Sequence, residues 1–416
     1  MVIKIITVGI GGGTGNQMFQ YAIARSLAED LNTDFYMNLY QYDFLPSFVS
    51  KTPKHVRFNL QHFNIKEKFS SSLKFITKTL ESKFNSNLNY INEGNIFTKF
   101  TYYNPEILNL KGKIFLRGNF QDERYFSHNS DIIRNDFKII TPPSRDNKKL
   151  IKEISSINSV ALCIRRGDYL SPFWKAQVGI CTMDYYNKAI EEIIKKVENP
   201  TFYIFSDDPE WVKDNVKLNY PSVYVSHNDV DKDYEDLRLM SNCKHFIIAN
   251  STFHWWGAWL SQNENKIVIA PDPWFNSETI KNPASDHWIK LNINSYHMLF
   301  KENSDNIVFG TDKAVESNND NKLIILKKKK LKLIYLFNDN IQFSQNDFIL
   351  KLVIQSSDKT VIKLINDKTN PIYIGIKKGI TEKYIYIDKH ISLNSLILEN
   401  GNTNSIVIEY LALVEN

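Results

Sequence analysis

Cysteine is scarce. The 416 residues contain three, Cys163, Cys181 and Cys243, an odd number at spacings that match no metal-binding pattern. That excludes a disulfide scaffold and suits a reducing compartment. No apolar stretch approaches the roughly 20 residues needed to cross a bilayer. The opening MVIKIITVGI carries Lys4 inside a short apolar run and has no small-residue cleavage site, so a signal peptide is not expected either. Excess charge is small: a net +5 over this length gives no reason to expect nucleic-acid binding and favours anionic ligands only mildly. The nine histidines include no HExxH or similar ligand spacing, which argues against zinc. Glycine clusters near the start but forms neither GxGxxG nor a P-loop, which argues against a nucleotide-dependent oxidoreductase. What is present is 43% hydrophobic and 13% aromatic residues, enough to bury cores in two or three domains. The expectation is a globular, cytoplasmic protein.

Residues 2–8 are β-branched and read as a buried strand. Gly9, Gly11, Gly12, Gly13 and Gly15 follow, and then a helical pattern over residues 16–31 with Phe19, Ile23, Leu27 and Leu31 on one stripe. Residues 50–104 are rich in Asn, Ser, Lys and aromatics with weak periodicity, and read as a loose insertion or cap. Strand patterns at 114–116, 160–164, 202–205, 223–225, 246–248 and 267–269 alternate with helical patterns at 183–197, 234–242 and 252–260. A further helix starts at Asp208-Pro209, an N-cap followed by proline. This alternation predicts right-handed βαβ units and parallel sheets. The expected division is an α/β domain over 1–150, a nucleotide-binding Rossmann-like domain over 151–300, a linker over 301–321 and a β-rich accessory domain over 322–416. In that last stretch short alternating runs separated by Asn, Asp, Gly and Ser turns predict an all-β sandwich. Lys327–Lys330 reads as a solvated or edge-protecting run rather than a nucleic-acid patch.

Three stretches carry chemistry. In GIGGGTGNQ the glycine loop opens a helix, where free N–H groups and the helix dipole favour an anion and Asn16 adds a donor. A tight connection capped by Asn16 is the alternative. In CIRRGD, Arg165 and Arg166 leave the carboxyl end of a predicted parallel strand, the edge where α/β sheets hold ligands, and guanidinium forks suit a diphosphate. Asp168 could orient one arginine, and a purely structural Arg–Asp pair is the alternative. In ANSTFHWW a strand passes into a helix with Ser251 or Thr252 at the cap, able to take a phosphate or simply to cap. Trp255, Trp256 and Trp259 read as core. Asp236 is either an acceptor for a base edge or a first-turn acid. Asp207-Asp208 resembles a metal-holding acidic pair, but the following Pro209-Glu210 makes it a helix start.

Taken in order, GGTGNQMFQYAIARSLA, IRRGDYL, FSDDPEWVKDN and ANSTFHWWGAWL resemble the α-1,2-fucosyltransferases of glycosyltransferase family 11, over roughly residues 5–300. The resemblance implies an α/β, GT-B-like pair of Rossmann-like domains, here with an additional C-terminal all-β sandwich-like domain. It also implies an inverting transfer from GDP-fucose, without metal or other cofactor, to the 2-hydroxyl of a terminal β-galactoside in an oligosaccharide or surface glycan. Carried over by residue, Arg165 holds the donor β-phosphate, with Arg166 and Asp168 completing its motif. Ser251, Thr252 and Phe253 bind phosphate, and Asp236 meets guanine. Gly13, Gly15 and Asn16 form the glycine-loop motif, with Asn16 near the pyrophosphate and fucose. Arg165, Asn16 and Asp168 are the expected catalytic group; Asp168 and His254 are candidates for the general base. Cys163 stands where members commonly have His, and Thr14 where they have Leu. No nucleic acid or transmembrane segment is expected, while peripheral membrane association is compatible. Other fucosyl linkages (α-1,6 or protein O-linked) and a non-catalytic glycan-binding protein are the competing readings.

Overall fold

The computed structural model describes residues 5–39, 57–70, 88–93, 103–171, 174, 178–275 and 282–293, together with backbone strands between 295 and 415. The chain forms two compact units, one from residues 1–167 and 183–292, the other from residues 168–182 and 293–416.

The first unit is mixed α/β and contains two parallel sheets. Its N-terminal sheet has strands β1 (Ile5–Gly9), β2 (Phe35–Asn38), β3 (Phe69–Ser70), β4 (Leu88–Asn92) and β5 (Lys113–Arg117) in the order β3-β2-β1-β5-β4. Helix α1 (Thr14–Asp30) follows β1 and buries Phe19, Ile23 and Leu27 completely, as the stripe predicts; Leu31 is its C-cap. β3 and β4 lie within the stretch expected to be a loose insertion. Their sequences, FS and LNYIN, are too short and too polar for periodicity to mark them. The rest of that stretch falls mostly outside the described residues.

Helices α2 (Ser130–Asp136) and α3 (Arg145–Ser156) lead into the second sheet. It comprises β6 (Ser159–Ile164), β7 (Thr201–Ser206), β8 (Ser222–Val225), β9 (His245–Ile247), β10 (Val268–Asp272) and β11 (Ile289–Asn292), ordered β11-β10-β9-β6-β7-β8. Helices α4 (Met183–Ile194), α5 (Pro209–Asn215), α6 (Asp233–Asn242) and α7 (Thr252–Leu260) connect them. β6 is buried at every position, which explains its run of apolar residues without alternation. On α4 the side chains of Tyr186, Ile190 and Ile193 are buried, with Val197 just beyond.

Strand order fixes where each sheet can hold a ligand. From β6 the chain builds outward through β7 and β8, then returns to the opposite side of β6 with β9. The connections therefore part between the carboxyl ends of β6 and β9, opening a crevice there. In the first sheet β1 and β5 bracket the equivalent point.

α7 joins the two halves of this unit. Trp255 and Trp256 are fully buried and Trp259 nearly so, in contact with Phe19 of α1 and with Phe126. Aromatic side chains of this size contribute large buried areas and favourable tilted ring contacts.

In the second unit, residues 295–415 form a six-stranded and a five-stranded sheet in which the paired strands run antiparallel. The strands Ile307–Gly310 and Val315–Asn318 fall within the stretch expected to be a linker. Lys327–Lys330 lies outside the described residues.

Candidate functional site

Two helix N-termini meet in the first unit. The α1 N-cap is Gly13, in extended conformation with no side chain capping it, and the first turn holds no acid. The α7 N-cap is Ser251, whose hydroxyl makes no cap bond. Neither positive end is neutralised by a side chain of its own helix. Their approach is close: a Cβ on Gly15 would sit 2.5 Å from the Phe253 nitrogen and from the Thr252 carbonyl carbon. Gly15 therefore serves this crossing by lacking a side chain, and its carbonyl accepts from Trp256 Nε1 at 3.0 Å.

Asn16 bridges the junction. Its Oδ1 accepts from Thr252 Oγ1 and from Gln121 Nε2, each at 3.0 Å. With the oxygen so engaged, the amide is oriented and Nδ2 is turned toward the glycine loop beside Gly12. Gln121, which sequence reasoning missed, comes from the loop after β5. That loop is held by Glu93, whose Oε2 accepts from the backbone N–H groups of Asn119 and Phe120. Burial pushes the Glu93 carboxyl up to about 7, against those two hydrogen bonds. Thr14 accepts from Asn59 Nδ2 at 2.8 Å and donates to Asp233 on α6, so its hydroxyl ties the glycine loop to the second sheet's helices. A leucine there could make neither bond.

Arg165 and Arg166 stand at the exit of β6, as expected. Arg165 pairs with Asp207 at 2.9 Å, with both side chains about one quarter exposed. Arg166 pairs with Asp208 at 3.1 Å, and its guanidinium lies 3.6 Å over the Trp211 ring. The carboxylates come from the end of the adjacent β7. Gly167 lies against the Asp207 carboxylate, where any Cβ would collide. Asp208 also caps α5 by accepting from the Trp211 N–H, with Pro209 in the first turn, as the sequence predicts. Among the described residues no group of three His, Cys, Asp or Glu side chains is arranged to hold a metal ion. Asp168 belongs to the second unit.

His254, in the first turn of α7, is 6% exposed, and its Nδ1 is buried without a partner. Burial, helped by the charge of Arg165, lowers its pKa to about 3, so the ring is neutral. That value is unsuited to a base working near neutrality. Phe253 beside it is partly exposed.

Asp236 lies on α6 and accepts from Asn228 Nδ2 at 2.8 Å. Burial raises its carboxyl to about 7; the Asn228 bond opposes this, and the charges of Asp233 and Glu235 add to it. Asn228 and His227 follow β8, and nothing in their sequence distinguishes them from ordinary loop residues. Cys163 is fully buried, with Sγ 3.5 Å from Met240 Sδ, and burial pushes its thiol well up. Its side chain is a core group.

At its other end α7 is met by cations. Lys266 Nζ donates to the carbonyls of Ala258 and Ser261 at 2.9 and 2.8 Å, and Arg134 donates to that of Trp259 while stacking on its ring. The helix thus has cations at its carboxyl end and no side-chain cap at its amino end.

Two uncapped helix N-termini that meet, and two arginines at a strand end, are suited to a phosphorylated donor, and the match of residues 3–292 to glycosyl transferase family 11 agrees. The chain belongs to that family of glycosyltransferases. It is 34% identical over 307 residues to an alpha-1,2-colitosyltransferase of Escherichia coli, covering 70% of this chain and 99% of the relative. It is also 34% identical over 308 residues to the E. coli O-antigen biosynthesis glycosyltransferase WbnK, covering 68% and 99%. Human galactoside alpha-(1,2)-fucosyltransferase 1 is 30% identical over 106 residues, 24% of this chain and 28% of that one. Among the described residues no helix is long and apolar enough to cross a membrane.

Proposed function

We propose that this chain transfers L-fucose from GDP-fucose to the 2-hydroxyl of a terminal β-galactoside, with inversion and without a metal ion. The observation that carries this reading is the meeting of the uncapped α1 and α7 N-termini, with the charge of Arg165 acting on His254 in the first turn of α7. Fucosyl transfer passes through an oxocarbenium-like state, and the departing GDP gains negative charge as the C1–O bond breaks. In this reading Arg165 meets the β-phosphate, while Ser251, Thr252 and Phe253 offer hydroxyl and backbone N–H groups. The Asn16 amide donates toward the pyrophosphate and fucose. Gly13 leaves open space at the α1 N-terminus, Arg166 adds a guanidinium from its seat on Trp211, and Asp236 accepts from the guanine edge. Fixed donors of this kind stabilise a charge that develops only in the transition state. Asp168 is retained as the candidate base for the acceptor hydroxyl. The two parallel sheets would be the halves of a GT-B-like pair divided near residue 150, and the tail a sandwich-like module that binds glycan, drives oligomerisation or adds stability. A cytoplasmic location accords with a soluble nucleotide donor.

Incubating purified protein with GDP-fucose and a panel of β-galactosides, with and without chelator, tests the reading. GDP release together with an α-1,2-fucosylated product, unaffected by chelator, is the expected result. Loss of turnover on chelation removes the metal-free mechanism. A second donor deserves a place in the panel because of the colitosyltransferase relative: preference for a colitosyl donor would keep the site and change the sugar.

A further inference from the structure

At the start of α3, one side chain is buried completely and fully engaged. Asn147 is 0% exposed. Its Oδ1 lies 2.6 Å from His227 Nε2, which must therefore be the donor. Its Nδ2 donates to Asn228 Oδ1 at 2.9 Å and to Glu235 Oε2 at 3.0 Å. Three elements meet at this one amide: α3, the loop after β8, and α6.

The consequence lies one bond further on. An asparagine amide can be turned either way unless its partners decide. Here the Asn147 donor holds the Asn228 oxygen, so Asn228 Nδ2 faces α6 and donates to Asp236 Oδ1. Were the Asn147 donor lost or replaced by an acceptor, Asn228 would be free to turn and set its oxygen against the Asp236 carboxylate.

We propose that Asn147 is a positioning residue for nucleotide recognition, acting through Asn228 to keep the Asp236 carboxylate ionised and aimed as an acceptor for the donor's base. The proposal rests on the reading of Asp236 as the base contact given above. The guanine N1 and N2 groups are both donors, so an ionised carboxylate accepts from the pair while a protonated acid loses one of those two bonds.

The charge balance around Asp236 leaves little margin. Asp233 and Glu235 face it from its own helix and favour the proton. The buried Cys163 thiol lies near it from β6. His227 and Asn228 come from the loop after β8. Glu235 is itself tied to Arg238 at 3.0 Å, so its counterion is committed. The Asn228 bond is the influence that favours the charged form.

The test is calorimetric titration of the full-length protein with GDP between about pH 5.5 and 9, alongside kcat at saturating donor. Asn147→Asp keeps the shape and turns two donors into acceptors. It is expected to move the acid limb of GDP binding up by roughly one pH unit, weakening binding about tenfold below neutrality and restoring it at alkaline pH. Asn228→Ala, at a partly exposed loop position, is expected to move the limb in the same direction and serves if Asn147→Asp does not fold. An unmoved limb in either folded variant overturns the proposal. Weakening by an equal factor at every pH overturns it too, because that is what a purely structural role produces. Asp236→Asn separates the underlying reading: it should weaken GDP binding and abolish the acid limb. Wild-type binding in that variant sinks the base-contact assignment itself, whatever Asn147 does.

Discussion

The two strand-exit crevices of the first unit are built alike and furnished differently. At the β1–β5 crevice the groups are neutral or neutralised: glycines, the Asn16 and Gln121 amides, and Glu93 buried behind two backbone donors. At the β6–β9 crevice they are charged and hydroxylic: Arg165 and Arg166, each paired with an aspartate, with Ser251 and Thr252. The two sets touch where Thr252 Oγ1 donates to Asn16 Oδ1. One fold rule positions both sites, and the side chains at the strand ends assign their chemistry.

The largest effect belongs to the arginine side. Arg165→Ala should fold normally, since its partner Asp207 keeps access to water. Turnover should fall about a hundredfold, corresponding to ~3 kcal/mol of transition-state stabilisation. Near-wild-type kcat would remove Arg165 from the mechanism. Next comes the joint between the crevices. Gly15→Ala introduces a Cβ into the Thr252–Phe253 backbone, and overpacking of this kind costs about 2 kcal/mol. Chemical denaturation should register that loss, with transferase activity falling alongside it. An unaltered midpoint would mean that the helices part easily and that their close approach is not structural.

Much of this was legible before the structure. β6 to β10 and α7 announce themselves through apolar runs and periodicity, and α5 through Asp208-Pro209. The arginines, the glycine loop and the ANSTF turn were visible because strand-to-helix turns with these residues carry a chemical meaning of their own. Other features had no local signal. Gln121, Asn147 and Asn228 are ordinary polar residues whose roles arise from contacts spanning 105, 81 and 8 positions. The partners of Arg165 and Arg166 illustrate the limit most clearly. Asp168, two or three residues away, is the partner the sequence suggests, while nothing local points to Asp207 and Asp208, which only the β6–β7 pairing brings near the arginines.

The neutral crevice can be sharpened through pH. The Glu93 carboxyl stands at about 7 in the folded chain, above its ordinary value of 4.5. The folded state therefore holds that proton more tightly than the unfolded one. The resulting stabilisation is fully present below about pH 4 and is lost as pH rises through 7. Glu93→Gln cannot titrate yet keeps an oxygen for the Asn119 and Phe120 donors. The stability of the wild type relative to this variant should decline by ~3 kcal/mol between those limits. A flat difference would place a charged Glu93 in a site that tolerates it.

The smallest effect isolates the far end of α7. Lys266 is partly buried, and burial together with Arg134 lowers its pKa to about 8, so it still carries charge at neutrality while donating to α7 carbonyls. Lys266→Met retains the apolar stem and removes the donors, which should cost ~1 kcal/mol in denaturation because those carbonyls lose a charged partner. Arg134 still holds the Trp259 carbonyl, so the helix should not unravel. GDP affinity should stay within about twofold, since helix-end charge effects fade within a turn and α7 is roughly 13 Å long. A tenfold loss of affinity in a variant of normal stability would mean that the cations at the carboxyl end support anion binding through the whole helix, and the division of labour between its two ends would have to be redrawn.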